Sequence, residues 1–149
     1  MSSNFPETDG RPVSRGNCSF TTINLPRIGI KHGIATGERK EADWDGFYKE
    51  LDEKIDLVAD QLQRRFDFQG NQRVKNFPFL MGQGNWIGSE KLKPNDKLRD
   101  VIKHGSLGIG FIGLAETLVA MTGHHHGESE ECQELGLDII GHMRERCDE

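Results

Sequence analysis

The stretch NCSFTTINL, residues 17–25, is the part of the sequence that decides the fold class. It is rich in β-branched and aromatic residues and Pro26 follows it directly, so it predicts a short strand that ends at the proline. Residues 106–110 predict a second strand, which leads into a helix from about residue 112 to 122. With the helices on either side, the predicted fold class is α/β and helix-rich.

The clearest helix lies at residues 43–66. Its apolar residues recur at steps of three and four, which indicates one continuous core face. They are Trp44, Phe47, Tyr48, Leu51, Ile55, Val58, Ala59, Leu62 and Phe66. Glu50 and Lys54 stand four residues apart, and we expect them to pair on the exposed side of this helix.

A last helix is predicted to start near Ser129, because three glutamates there suit the positive end of a helix dipole. Its predicted inner face comprises Cys132, Leu135, Gly136, Ile139, Ile140, Met143 and Cys147. A short helix is predicted between a cap at Asn95 or Asp96 and Gly105, with Leu98, Val101 and Ile102 facing inward.

The remaining segments are rich in glycine, proline and polar residues and are predicted to be irregular. They are residues 1–13, expected to be a flexible N-terminal loop, residues 31–40, and residues 70–95. Within the last of these, NFPFLMGQG at 76–84 is apolar but full of helix-breaking residues. We expect it to pack as a buried connection.

The composition excludes several classes of protein. The chain has 149 residues, which fits one domain, and a net charge of −5, which is not the basic footprint of a dedicated nucleic-acid binder. No apolar run approaches the ~18 residues that a membrane helix needs, and no secretory signal is visible. Three cysteines without a C-x-x-C spacing favour free thiols in a reducing cytoplasm over a disulfide scaffold or a Cys₄ zinc site.

The run GIGFIG at 108–113 matches the glycine spacing of a dinucleotide-binding turn. That motif needs a second strand ending in an acidic residue about 20 residues further on, and here that region begins a helix instead. Close packing where a strand turns into a helix explains Gly108, Gly110 and Gly113 better.

His124, His125 and His126, with Glu128, are metal-ligating residue types. Adjacent residues diverge in direction and the H-E-x-x-H spacing is absent, so a solvated loop ahead of a helix is the favoured interpretation. A metal-binding module stays open as an alternative. His32, His104 and His142 are isolated and are predicted to be structural.

Several blocks of this sequence closely resemble the anaerobic ribonucleoside-triphosphate reductases, the glycyl-radical class. They occur in the family's order and cover the chain from about residue 14. They are RGNCSFTTINLPR at 15–27, KNFPFLMGQG at 75–84, KLKPND at 91–96, GFIGLAE at 110–116 and HHGESEE at 125–131.

The resemblance implies that residues 1–149 are a single partial domain, a middle section of the ten-stranded α/β barrel of this superfamily. It implies conversion of ribonucleoside triphosphates to deoxyribonucleotides. In that chemistry a glycyl radical generates a thiyl radical, which abstracts the ribose 3′ hydrogen; water leaves C2′, and formate or a thiol system supplies the reducing equivalents. The abrupt ends at Met1 and Glu149 lead us to expect a fragment that is inactive alone.

The resemblance also assigns one site residue. Asn17 matches the family's asparagine near the substrate ribose, where a carboxamide can donate to and accept from hydroxyls without titrating. The radical cysteine of the family lies in a Gly-Cys-Arg-Thr loop upstream of this segment, and none of Cys18, Cys132 and Cys147 matches it. Cys18 stands where relatives usually carry Leu or Ile.

By the same resemblance, we expect no cofactor in this segment. The glycyl radical, the structural zinc site and the ATP and dNTP effector sites would lie outside it. The implied partners are a ribonucleoside triphosphate, a radical-SAM activating protein and a second copy of the chain, with no nucleic acid and no membrane. The alternative is a small stand-alone α/β protein that binds a nucleotide or phosphate through its glycine-rich loops.

Overall fold

A computed structural model describes residues 16–148 of the chain. The predicted flexible loop at residues 1–13 lies outside these residues. Two strands and five helices follow one another along the described chain: β1 (Asn17–Asn24), α1 (Leu25–His32), α2 (Trp44–Gly70), α3 (Arg99–Ile102), β2 (Ser106–Ile112), α4 (Leu114–Thr122) and α5 (Glu130–Asp148). Short 3₁₀ turns at Val74–Asn76 and Ser89–Lys91 interrupt the irregular region.

The strands β1 and β2 pair as a small parallel sheet. At their first residues, the Ser106 backbone N–H donates to the Gly16 carbonyl over 3.0 Å. Towards their last residues, Gly110 lies next to the Thr22 hydroxyl. Between these two contacts both strands advance towards higher residue numbers, so they run in the same direction. Both predicted strands are confirmed, and the chain is helix-rich α/β with a small parallel sheet.

The long helix α2 is confirmed and runs four residues beyond its predicted end, to Gly70. Its apolar stripe is buried as expected at Phe47, Leu51, Ile55, Val58 and Leu62. Phe66, Trp44 and Tyr48 are half-buried, whereas Ala59, predicted on the same face, is exposed, so the prediction is wrong for Ala59. None of the helices in the described part of the chain is long and apolar enough to cross a membrane.

The described chain divides into two compact units. One comprises residues 16–19 and 62–108, and the other comprises residues 20–61 and 109–148. In the first, Val74, Met81, Leu98 and Ile102 form a buried core, and Cys18, Phe66, Trp86, Leu92 and Val101 pack around it.

The second unit is built on close approaches between α1, α4 and α5. A Cβ atom at Gly29 of α1 would lie 3.0 Å from the Thr117 side chain of α4, so glycine lets the two backbones approach. Just beyond α1, the Ile34 N–H donates to the Ala120 carbonyl over 2.9 Å. Leu118 of α4 and Ile139 of α5 are fully buried in this unit.

Helix α1 was not predicted, and the proposed loop at 31–40 is wrong for its first two residues. Asn24 caps α1 through its side-chain oxygen, which accepts the Arg27 N–H over 3.3 Å. Pro26 lies in the first turn, where its missing N–H costs nothing. A proline that ends a strand can therefore also begin a helix.

Three further expectations are wrong. The predicted cap at Asn95 or Asp96 does not form. Leu98 is the residue before α3 and makes no side-chain cap hydrogen bond, and the Asp96 carboxylate accepts the Lys93 N–H instead. The connection at residues 76–84 is not buried as a whole: Met81 is buried, but Phe79 is 70% exposed. Cys147, predicted on the inner face of the last helix, is exposed in the last turn of α5.

Candidate functional site

Asn17, the residue assigned by resemblance, is the first residue of β1 and is exposed. It lines a cavity of about 200 Å³ in the first unit. Among the other residues that line this cavity are Cys18, Phe77, Leu80, Met81 and Trp86. A carboxamide thus stands beside apolar and aromatic walls, which is the usual composition of a small-molecule pocket.

The indole ring of Trp86 forms one fixed wall of this cavity. Its N–H donates to the Val101 carbonyl over 2.9 Å. The ring lies against Gly16 so closely that a Cβ atom at this position would overlap it. Since Gly16 directly precedes Asn17, the indole also limits where the backbone of Asn17 can lie.

Cys18 lies in the same cavity but is held as a packed thiol. Its sulfur lies 3.6 Å from the Ile102 carbonyl oxygen and presses on Gly105, where no Cβ would fit. Burial raises the pKa of the Cys18 thiol. A neutral thiol is a poor nucleophile, so the arrangement suits a structural role.

Gln69 of α2 connects the helix to the strand at this point. Its side-chain amide donates to the Cys18 carbonyl over 2.9 Å. Because the adjacent Asn17 shares this stretch of backbone, the end of α2 helps to position it.

Exposed apolar side chains lie in and beside the lining of this cavity. Phe77 and Leu80 line the cavity and are each more than a third exposed, and Phe79 beside them is the most exposed. The apolar composition of this segment predicts burial, but no described element covers Phe79. The aromatic rings are therefore available to a ligand or to another part of a larger protein.

The glycine motif at 108–113 does not form a phosphate-binding loop. Gly108 and Gly110 lie inside β2, and no strand follows β2 within residues 16–148. Gly113 has a φ of 74°, and a Cβ there would overlap the Pro26 ring. The close-packing interpretation is confirmed for Gly113.

The histidine-rich loop is organised by Glu128. Its carboxylate accepts the His125 backbone N–H over 2.8 Å and lies 3.4 Å from the His124 ring. The backbone hydrogen bond is the main cause that lowers the pKa of Glu128. Within residues 16–148 no group of three or more His, Cys, Asp and Glu side chains is arranged to hold a metal ion.

Two histidines predicted to be structural do hold elements of the second unit together. His142 of α5 bonds Asp52 of α2 over 2.7 Å. His32 lies between two carboxylates, 2.8 Å from Glu50 and 3.4 Å from Asp43. No periodicity in the sequence indicates these three pairs. His142 and Asp52 are 90 residues apart, and His32 lies 18 residues from Glu50 and 11 from Asp43.

Comparison with known proteins agrees with the blocks quoted above. A sequence model of the family described as "Anaerobic ribonucleoside-triphosphate reductase" matches residues 2–149. A protein of that name from Salmonella typhimurium is 28% identical over 91% of this chain and 18% of its own length. One from Haemophilus influenzae is 28% identical over 88% of the chain and 17% of its length.

A third relative of the same name, from Enterobacteria phage T4, is 29% identical over 68% of the chain and 16% of its length. The chain therefore spans less than a fifth of the length of each of these curated relatives.

Proposed function

Because this chain belongs to the anaerobic ribonucleoside-triphosphate reductase family, we propose that it is part of the catalytic region of such an enzyme. The observation that carries the proposal is the family match, which extends over residues 2–149. The activity that follows is reduction of ribonucleoside triphosphates to deoxyribonucleotides. A stand-alone nucleotide- or phosphate-binding protein is the less favoured reading, because it explains neither the extent nor the order of the matching blocks.

The role of this chain in that reaction is to contact the substrate through Asn17. Three features support the assignment: Asn17 matches the family's ribose-contacting asparagine, it is exposed, and it lines a cavity with aromatic walls. At about 200 Å³ the cavity is smaller than the ~300 Å³ typical of whole-ligand sites. It suits one part of a nucleotide, such as the ribose.

A carboxamide fits that task chemically. It offers one oxygen acceptor and two N–H donors and does not titrate, so it orients hydroxyl groups at any physiological pH. The packed Cys18 beside it stays neutral and does not compete for the substrate. Trp86 and Gln69 hold the backbone on either side of the contact.

The radical chemistry belongs to groups that we place outside these 149 residues. In such a reductase a glycyl radical supplies the one-electron chemistry that removes a hydrogen atom from the ribose. We likewise place the structural zinc, the effector nucleotides and the contact with a radical-SAM activating protein elsewhere in the enzyme. The 149-residue chain by itself is then inactive.

We also propose that β1 and β2 are two strands of the ten-stranded α/β barrel, with residues 1–149 forming a partial domain. The strands are parallel, and each leads directly into a helix, α1 or α4, as in strand–helix units. A cytoplasmic location fits the three free thiols at Cys18, Cys132 and Cys147.

The test is activity of a complete reductase that carries this segment. Asn17→Ala is expected to reduce turnover sharply while circular dichroism stays unchanged, because Asn17 is exposed at the first residue of β1. Asn95→Ala makes the same chemical change at an exposed position that does not line the cavity, and it should leave turnover unchanged. Wild-type turnover in Asn17→Ala would refute the assignment.

A further inference from the structure

A second cavity, of about 270 Å³, lies in the second unit where β1 ends and α1 begins. The polar residues that line it are Thr22, Asn24, Arg27, Glu50 and Lys54. Thr22, Asn24 and Arg27 belong to the block at 15–27 that resembles the family, but the proposed ribose contact at Asn17 does not use this cavity.

The two cations in the cavity are Arg27 and Lys54. No carboxylate in the described part of the chain forms an ion pair with Arg27 or Lys54. The sequence predicts that Lys54 pairs with Glu50 one turn away, and this prediction is wrong. The Glu50 carboxylate turns instead to the Lys31 ammonium at 2.6 Å and to the His32 ring at 2.8 Å.

Glu50 therefore does not cancel the positive charge of the cavity. Its negative charge is compensated by Lys31, which leaves the charges of Arg27 and Lys54 without a carboxylate partner among residues 16–148. Unpaired cations that share a concave surface attract anions, and low-dielectric walls strengthen that attraction. Ile23, Ile28 and Val58 supply such walls and are buried.

The polar groups in the cavity indicate which kind of anion would bind there. The guanidinium of Arg27 matches the oxygen geometry of phosphate in a two-point contact, and the ammonium of Lys54 adds a point charge. The Thr22 hydroxyl can donate a further hydrogen bond. The Asn24 side-chain oxygen is already taken by the Arg27 backbone N–H, which leaves its amide N–H groups as donors.

We propose that this cavity, with Arg27 and Lys54 as its cationic groups, binds a phosphate or pyrophosphate group. The volume is below that of a typical whole-ligand site, so the group is bound without enclosing an entire nucleotide. The inference does not depend on the ribose contact at Asn17, and it survives if that assignment fails.

The experiment uses inorganic pyrophosphate as the probe and acetylation of lysine amines as the readout. The chain is treated with an N-hydroxysuccinimide ester at increasing pyrophosphate concentration, and mass spectrometry measures the rate at each lysine. Acetylation of Lys54 is expected to slow at least severalfold and to saturate. Lys40, exposed and outside the cavity, serves as the internal control and should not change.

Two variants complete the test. Arg27→Gln is expected to abolish the protection of Lys54, whereas Lys40→Gln, which also removes one positive charge from the same unit, is expected to retain it. Both positions are exposed, so the fold should persist. Equal protection of Lys40 and Lys54, no protection of either, or full protection of Lys54 in Arg27→Gln would overturn the proposal.

Discussion

The Trp86 indole lies directly against Gly16, and the contact leaves no space for a side chain at residue 16. The same indole is held from its other side by the hydrogen bond to the Val101 carbonyl. Because Gly16 precedes Asn17, this contact joins the wall of the cavity to the residue assigned to the substrate.

Gly16→Ala is therefore expected to destabilise the first unit. Accommodating the methyl group forces the indole or the strand to shift, and overpacking of this kind costs about 1–3 kcal/mol. Gly141→Ala is the matched control, because nothing lies within 4 Å of its Cβ position on α5. It should stabilise the chain by roughly 0.5–1 kcal/mol. Urea unfolding measures both, and equal effects would contradict the packing argument.

Gly113→Ala is expected to be among the more costly glycine substitutions in the second unit. Its φ of 74° is unfavourable for alanine, and the new methyl group overlaps Pro26. The two effects together cost roughly 2–5 kcal/mol. Gly123 has a similar φ of 89° but open space around it, so Gly123→Ala should cost about 1–2 kcal/mol. Equal losses of unfolding free energy would show that Pro26 does not matter.

Most of the fold could be predicted from local sequence patterns. The stripe of α2 and the β-branched run of β1 are local patterns, and both elements appear where those patterns predict them. Helix α1 was missed because Pro26 signals both the end of a strand and the first turn of a helix. The exposure of Phe79 could not be predicted from its hydrophobicity. Hydrophobicity determines how favourable burial of the ring is, but not whether a neighbouring element is present to cover it.

The candidate site was only partly predictable. Asn17 could be named from its resemblance to the family, but its neighbours in the cavity come from distant parts of the chain. Trp86 is 69 residues from Asn17, and its pairing with Gly16 has no local sequence signal. The availability of Lys54 could not be predicted for a different reason. The spacing of four residues predicts a pair between Lys54 and Glu50, but the Glu50 carboxylate pairs with Lys31 of another helix.

Acid is expected to weaken the second unit through Glu50. Hydrogen bonds from Lys31 and then His32 hold the pKa of Glu50 below its ordinary value of 4.5. A carboxyl group whose pKa is lower in the folded state stabilises the fold above its unfolded-state pKa. That contribution is lost as the pH falls through the lowered pKa of the folded state.

The measurement is the free energy of unfolding in urea between about pH 6 and pH 3. In Glu50→Gln, the free energy of unfolding should decrease less steeply towards low pH than in the wild-type chain. Glu53→Gln, on the exposed side of the same helix, should leave the profile parallel to wild type. Parallel profiles for both variants would show that the Glu50 contacts do not contribute.

The 149-residue chain alone is expected to self-associate. Phe20, Phe68 and Phe79 are each about two-thirds exposed, and in the described residues each strand of the sheet has one unpaired edge. Such surfaces recruit other chains. Light scattering coupled to size exclusion should show a mass that rises with concentration. Phe68→Ser with Phe79→Ser should lower it, and Lys103→Ser should not. A strictly monomeric chain at high concentration would contradict this prediction.

The contact between Asn17 and the substrate ribose is tested most directly by removing the Asn17 carboxamide and, separately, each ribose hydroxyl group. A complete reductase carrying this segment is titrated with a ribonucleoside triphosphate and with its 2′- and 3′-deoxy analogues, as wild type and as Asn17→Ala. One neutral hydrogen bond corresponds to a preference of about two- to tenfold. The account predicts that the wild-type enzyme prefers the ribonucleotide over at least one analogue and that Asn17→Ala loses that preference. An unchanged preference in Asn17→Ala would contradict it.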